Sequence, residues 1–288
     1  MMPRGDLLPY LDKEKNSIMR RCSSTIRILL VVLSLSLIPG LGFAQATQEK
    51  PFEPTVGQAG KDVVWVPTPQ ALVNKMLEMA KVTPSDFLMD LGSGDGRTVI
   101  TAAKRGIKAM GIEYNPDMVA LSQRNAAAAG VSDKATFVKA DIFESDFSKA
   151  SVITLFLLPD LNLRLRPKLL DMPPGTRVVS NSFRMEAWEP DETATVSEDC
   201  VSWCTALLWI VPAKVEGTWR MADGDLTLSQ QFQVISGTLG STPINGKLHG
   251  NDITFTAGGA QYSGKVNGNT MQGTVKGGKG GSWTATKK

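Results

Sequence analysis

The chain has 288 residues, enough for about two domains. Its apolar and charged fractions, 42% and 20%, are those of an ordinary globular protein and exclude a collagen-like or wholly disordered chain. The formal charge of +3 sits in the leader: residues 1–46 hold six Lys/Arg against three Asp/Glu, which leaves 25 of each sign over 47–288 and no basic excess to neutralise nucleic-acid phosphates.

The N-terminus carries a targeting pattern. Arg20, Arg21 and Arg27 precede an apolar run from Ile28 to Ile38, then Pro39, Gly40 and a small-x-small site, Ala44-Gln45-Ala46. The run is short for a membrane span. Residues 1–46 are therefore expected to be a secretory signal peptide, making the protein secreted or periplasmic; an uncleaved membrane anchor is the alternative. The stretch before Met19 is unpatterned, so either Met1 or Met19 can be the start. Residues 47–60, polar with Pro and Gly, read as a linker.

Residues 61–213 alternate strands and helices. After Val66-Pro67-Thr68-Pro69, the apolar spacing of Ala71, Leu72, Met76, Leu77 and Met79-Ala80 predicts a helix, with Thr68 as its cap and Pro69 at its first position. Strands follow at Phe87–Leu91, Ala109–Glu113, Ala135–Ala140, Val152–Leu157 and Arg177–Asn181. Helices are expected at Thr98–Arg105, Pro116–Gly130 and Leu161–Leu170, the last with a possible kink at Pro167. This βα spacing indicates a mostly parallel sheet covered on both faces. Thr193–Ser197 and Ser202–Val211 read as an antiparallel pair at its edge. Cys200 and Cys204 lie four apart in an apolar stretch; on a strand both would face one side, too far apart to bridge, so two buried free thiols are expected; a disulfide or metal pair is the alternative.

Residues 214–288 hold 15 of the 27 glycines. Short β-type runs alternate with turns, and Gly246-Lys247-Leu248-His249-Gly250-Asn251 echoes Gly264-Lys265-Val266-Asn267-Gly268-Asn269. A small antiparallel β domain, a meander or open barrel, is expected, with Trp219, Phe232, Phe255, Tyr262 and Trp283 supplying its core. The one histidine, His249, lies here, so neither a His-based triad nor a multi-His metal site can be built.

The chemistry is expected at Asp90-Leu91-Gly92-Ser93-Gly94-Asp95-Gly96, between a strand and a helix. Its glycines let the chain turn sharply and admit a ligand closely, and the helix start offers free N–H groups. Glu113 ends the next strand, placed to accept two ribose hydroxyls, and Asp141 follows the third, placed to meet an adenine amino group. Together these resemble the class I, seven-strand S-adenosylmethionine-dependent methyltransferases. With Val66–Pro69, Gly111–Pro116 and Thr154–Asp160, the stretch 60–190 is similar to the small protein-lysine methyltransferases that include the mitochondrial enzymes acting on the ATP synthase c-subunit and the adenine nucleotide translocase.

The resemblance implies a Rossmann-like α/β domain and S-adenosylmethionine as cofactor. Asp90, Gly92, Ser93 and Gly94 would hold its amino-acid end, Glu113 the ribose, and Asp141 with Ile142 the adenine. Thr68 and Phe156 to Pro159 would line the transfer pocket, with Asp160 orienting a lysine amine; an N-cap for the following helix is the other role open to Asp160. The expected partner is a protein or small-amine substrate, with no nucleic acid and possible envelope association. Two alternatives stand beside the enzyme. One is an exported binding module without turnover, its β tail contacting an envelope partner. The other is a nicotinamide oxidoreductase, disfavoured because the third glycine comes one residue earlier than in G-x-G-x-x-G.

Overall fold

A computed structural model describes residues 51–278 and 280–288, which leaves the expected leader outside the described residues. From Phe52 to Lys288 the chain forms one compact unit.

Five parallel strands carry the first part: β1 (Phe87–Leu91), β2 (Lys108–Glu113), β3 (Ala135–Lys139), β4 (Val152–Leu155) and β5 (Arg177–Asn181). Two antiparallel strands, β6 (Glu192–Thr195) and β7 (Thr205–Ile210), complete a seven-strand sheet of order β3-β2-β1-β4-β5-β7-β6. Strands β1 and β4 are buried along nearly their whole length, as their mostly apolar sequences require in a sheet covered on both faces. One apolar layer joins α1 (Gln70–Met79), α2 (Arg97–Lys104) and α3 (Pro116–Ala128) to the sheet, through side chains such as Leu72, Val99 and Val119. The other holds Leu161, Leu165 and Leu169 of α4 (Pro159–Leu170) with Phe147, Trp188 and Trp209. The strand order reverses between β1 and β4, which opens a crevice beyond their carboxyl ends.

The opposite ends of β1 and β5 are tied by an ion pair between Asp86 and Arg177. Burial alone would raise the Asp86 carboxyl, but Arg177, the Ser151 hydroxyl (2.7 Å) and the Thr83 N–H (2.7 Å) outweigh it and hold it down to about 2. A depressed carboxyl contributes stability that is present above its unfolded value near 4 and is lost as pH falls through about 2. Arg177→Ala strands the buried carboxylate and is expected to cost about 3 kcal/mol at pH 7. Urea unfolding at pH 7 and pH 3 checks this; an equal cost at both would remove the charge from the explanation.

Several local expectations change. Pro69, not Thr68, occupies the N-cap of α1. Strand β4 ends at Leu155, so Phe156 to Leu158 leave the sheet. Helix α4 starts at Pro159 with Leu158 as N-cap, which rules out Asp160 as a cap for a helix from Leu161 and places it inside the first turn. Cys200 and Cys204 are disulfide-bonded, with Cα atoms 5.8 Å apart. The free-thiol expectation assumed a strand. Strand β7 begins only at Thr205, and residues 196–204 form a loop bent by left-handed backbone at Asp199 (φ 52°) and Trp203 (φ 58°). A bent loop brings the two Cα atoms within bridging range.

The second part is a closed barrel rather than a meander or open one. Its strands are β8 (Gly217–Met221), β9 (Gly224–Gln231), β10 (Val234–Leu239), β11 (Thr242–His249), β12 (Asp252–Ala257), β13 (Ala260–Asn267), β14 (Thr270–Lys276) and β15 (Gly281–Lys287). Every connection from β8 to β14 is a two-residue turn. The echoed Gly250-Asn251 and Gly268-Asn269 fill two of them, with positive φ at each glycine. Pairing of β15 with β8 shuts the barrel, and alternate residues, among them Trp219, Phe255, Tyr262 and Trp283, fill its interior. Phe232, expected in that core, instead occupies a turn at φ 55° and stacks on Trp188 of the first part at 6.2 Å between ring centroids. The Gln233 amide donates to the Glu189 carbonyl beside it (2.7 Å), so this turn docks the barrel onto the sheet domain.

Candidate active site

The crevice between β1 and β4 is a cleft open to solvent. Thr68, Asp90, Gly92, Ser93, Gly94, Glu113, Asp141, Ile142 and Phe156 all line it. Asp160 does not: it is exposed on the first turn of α4.

Asp90, the last residue but one of β1, lines the cleft and is 7% exposed. The Thr154 hydroxyl of β4 donates to its Oδ1 at 2.6 Å. Burial pushes its carboxyl up to about 7 against that hydrogen bond, and the nearby carboxylates of Asp95 and Glu113 add to the rise. Glu113, at the end of β2, accepts from the Gly94 N–H and the Asn115 N–H, both at 2.9 Å. The loop between them turns through left-handed backbone at Gly92, Gly94 and Gly96. A Cβ on Gly94 would stand 2.7 Å from the Trp65 indole nitrogen, and one on Gly96 2.7 Å from Phe137, so both positions require glycine.

Most of the amides expected to be free in the loop are already engaged. The N–H groups of Gly92, Ser93, Gly94, Gly96 and Arg97 already donate to Ile112, Ile112, Glu113, Ser93 and Asp95. What faces a ligand is a set of carboxylates, with Asp95 partly neutralised by Arg97. A diphosphate would meet repulsion here, whereas a ligand carrying an ammonium and a sulfonium would meet its counter-charge. The residues present thus fit S-adenosylmethionine and not a nicotinamide dinucleotide.

Thr68 is buried, and its hydroxyl accepts from the Asn181 side chain at 3.3 Å, while Arg97 donates to its carbonyl at 2.9 Å. Freed from capping, Thr68 is fixed at the cleft wall by β5 and the loop. Asp141 is paired with Lys61, whose ammonium also lies 4.6 Å from the Tyr114 ring centroid. That ammonium, with the Phe143 N–H, holds the Asp141 carboxyl below the usual range.

Lys61 and Trp65 were not anticipated. They belong to a turn closed by Gly57 N–H to Trp65 carbonyl (2.9 Å), Trp65 N–H to Gln58 carbonyl (2.8 Å) and Gly60 N–H to Val63 carbonyl (2.9 Å). Gln58 to Pro67 all line the cleft, so part of the expected linker belongs to the site. Asn181 was also missed; a polar residue closing a buried strand was its only signal.

Residues 90–192 match the family model described as the ANTKMT methyltransferase domain. The chain is 45% identical over 139 residues to a protein-lysine N-methyltransferase of Saccharolobus islandicus, covering 47% of this chain and 86% of that one. It is 40% identical over 115 residues to a mouse lysine N-methyltransferase of the ATP synthase c-subunit, covering 40% of this chain and 47% of that one. A solved RNA methyltransferase from Salinibacter ruber, in complex with S-adenosyl-L-homocysteine, is 46% identical, with 52% of this chain and 96% of that chain covered and a TM-score of 0.49. The chain thus spans most of the archaeal relative but about half of the mouse protein, and the barrel lies beyond the family-model match. With its acidic, glycine-turned cleft and an archaeal relative matched over most of its length, the chain belongs to the S-adenosylmethionine-dependent class I methyltransferases that carry the ANTKMT methyltransferase domain.

Proposed function

We propose that the protein methylates the ε-amine of lysine in a protein acceptor. The observation that carries this reading is the 45% identity to a relative named as a protein-lysine N-methyltransferase, of which the chain spans 86%. The charge balance of residues 47–288 argues for a protein rather than a nucleic-acid acceptor.

Bound S-adenosylmethionine supplies an electrophilic methyl on a sulfonium leaving group. The chain's part is alignment and a dry pocket. Asp90 and the glycine loop hold the amino-acid end, Glu113 the ribose, and Asp141 with Ile142 the adenine. Leu155, Phe156, Leu157 and Leu161 line the cleft on the β4–α4 side and keep water from the transfer point. Asp160, on the exposed first turn of α4, receives the amine from outside the cofactor cleft and orients it. Asp160→Ala is expected to lower turnover about tenfold while calorimetry gives an unchanged cofactor Kd; unchanged turnover would remove it from the reaction.

The test of the acceptor uses labelled S-adenosylmethionine with a lysine-rich peptide, the same peptide acetylated on every lysine, and a structured RNA. Label is expected in the first alone. Label in the acetylated peptide or in RNA would overturn the lysine assignment.

Export is part of the same proposal. The Cys200–Cys204 disulfide supports an oxidising compartment such as the periplasm, in line with the leader pattern. Fractionation should find a processed form starting near Thr47 in the envelope or medium; a full-length cytoplasmic form would refute it.

A further inference from the structure

Three aromatic side chains from separate stretches meet beside the cofactor cleft. Phe156 follows β4 and lines the cleft itself. Phe183 follows β5, its ring centroid 6.0 Å from that of Phe156. Trp203 lies in the disulfide loop, 5.1 Å from Phe183 and 6.1 Å from Phe156. Trp203 stays 44% exposed, so it joins the others without completing a core.

Its placement is imposed from several sides. Trp203 has φ 58° and Ser182, just before Phe183, has φ 59°; both conformations are costly for residues with a Cβ. The Cys200–Cys204 disulfide closes the loop directly around Trp203. Ser182 N–H donates to the Thr205 carbonyl at 2.7 Å, and the Asn162 amide donates to the Phe183 carbonyl at 3.2 Å. Val201, between the two cysteines, is fully exposed. The loop is therefore held in shape by covalent and polar ties, not by burial, and what it presents is an indole. Strain kept at a partly exposed aromatic residue next to a cleft is better explained by a ligand than by packing.

We propose that Phe156, Phe183 and Trp203 form an access wall for the acceptor lysine, with the Cys200–Cys204 disulfide holding Trp203 in place. Ring faces are electronegative and attract an ammonium within about 6 Å, while their area covers an aliphatic stem. A lysine side chain offers both. Because Phe156 belongs to the wall and to the cofactor cleft, a stem lying along the rings leads its amine toward the transfer point. The choice of lysine rests on the proposed acceptor; the site for an alkylammonium group rests on the geometry alone.

The full chain, saturated with S-adenosylhomocysteine, is titrated with n-butyltrimethylammonium, a fixed-charge mimic of the lysine side chain. The Trp203 indole N–H is followed by NMR. A saturable shift at millimolar concentration is expected. In parallel, Trp203→Leu should lower kcat/KM for a lysine peptide at least about fivefold, mostly through KM, with cofactor Kd unchanged; Trp203→Phe should stay within about twofold of wild type. The Cys200→Ser, Cys204→Ser pair should behave like Trp203→Leu. Wild-type kinetics in Trp203→Leu, or no shift of the indole, would overturn the wall while leaving lysine methylation standing. A cation bound at Trp203 without methylation of any lysine peptide would uphold the site and bring down the acceptor assignment instead.

Discussion

Asp90→Asn is expected to weaken S-adenosylmethionine binding at pH 8 by at least about 100-fold and, in the same protein, to raise Tm. Both effects come from one carboxylate. At pH 8 Asp90 is ionised, buried and flanked by Asp95 and Glu113, with its pKa pushed up to about 7. A carboxyl raised on folding binds a proton more tightly in the native state. Stability is therefore fully present below its unfolded value near 4 and is lost as pH rises through about 7. Asparagine keeps an oxygen to accept from Thr154 and removes the charge. A gain of about 2–4 kcal/mol at pH 8 is expected, and little or none at pH 4. The cofactor's ammonium supplies the missing counter-charge in the wild type, so losing the carboxylate costs affinity on the scale of a broken buried ion pair. In the wild type, binding should release a proton and weaken roughly tenfold per pH unit below about 7. Calorimetry in buffers of different ionisation enthalpy measures both quantities. Affinity kept within about threefold in Asp90→Asn would show that Asp90 is not the counter-charge.

This carboxylate shows how much of the site was legible. Strands β1 to β5 each carry an apolar run, and Asp90, Glu113 and Asp141 stand at or just beyond the ends of three of them, so topology alone brings them to one crevice. What escaped depends on contacts distant in sequence. Lys61 directly follows the stretch that reads as linker, with no pattern of its own; only the fold reveals its bond to Asp141, 80 residues on. The loop's amides look free in a sequence because their acceptors, the Ile112 carbonyl and the Glu113 carboxylate, belong to the next strand. Cysteines four apart look alike on a strand and in a bent loop, and left-handed backbone at Asp199 and Trp203 is not written in either residue type. The barrel's turns were visible in its glycines, but closure is set by the register of β15 on β8, a pairing between the domain's two ends with no local signature. Asp160 shows the ordinary uncertainty of helix boundaries: a start two residues earlier removed a capping role and set the side chain outside the cleft.

Gly111→Ala should damage the cofactor site from behind, from a position that does not itself line the cleft. Gly111 sits inside β2, where glycine normally weakens a strand and marks a close approach. The approach is the loop itself. A Cβ here would stand 2.6 Å from Ser93 Cβ and 2.6 Å from Phe137 Cδ1, and closer still to Ser93 Oγ. Ser93 is held between Gly92 and Gly94 by its N–H bond to Ile112 and cannot yield without moving the cradle that carries Asp90 and meets Glu113. Overpacking of this kind costs about 1–3 kcal/mol of stability, and a displaced loop should weaken cofactor binding about tenfold. A second substitution should relieve the clash. Ser93 Oγ is buried without a hydrogen-bond partner, so Ser93→Gly forfeits no hydrogen bond and clears two of the three nearest atoms. In the double variant, part of both losses should return, giving a coupling of about 1 kcal/mol in a cycle of the four proteins measured by thermal melts and calorimetry. Strict additivity would mean that Phe137, not the loop, absorbs the added methyl, and the link from Gly111 to the cofactor site would fall.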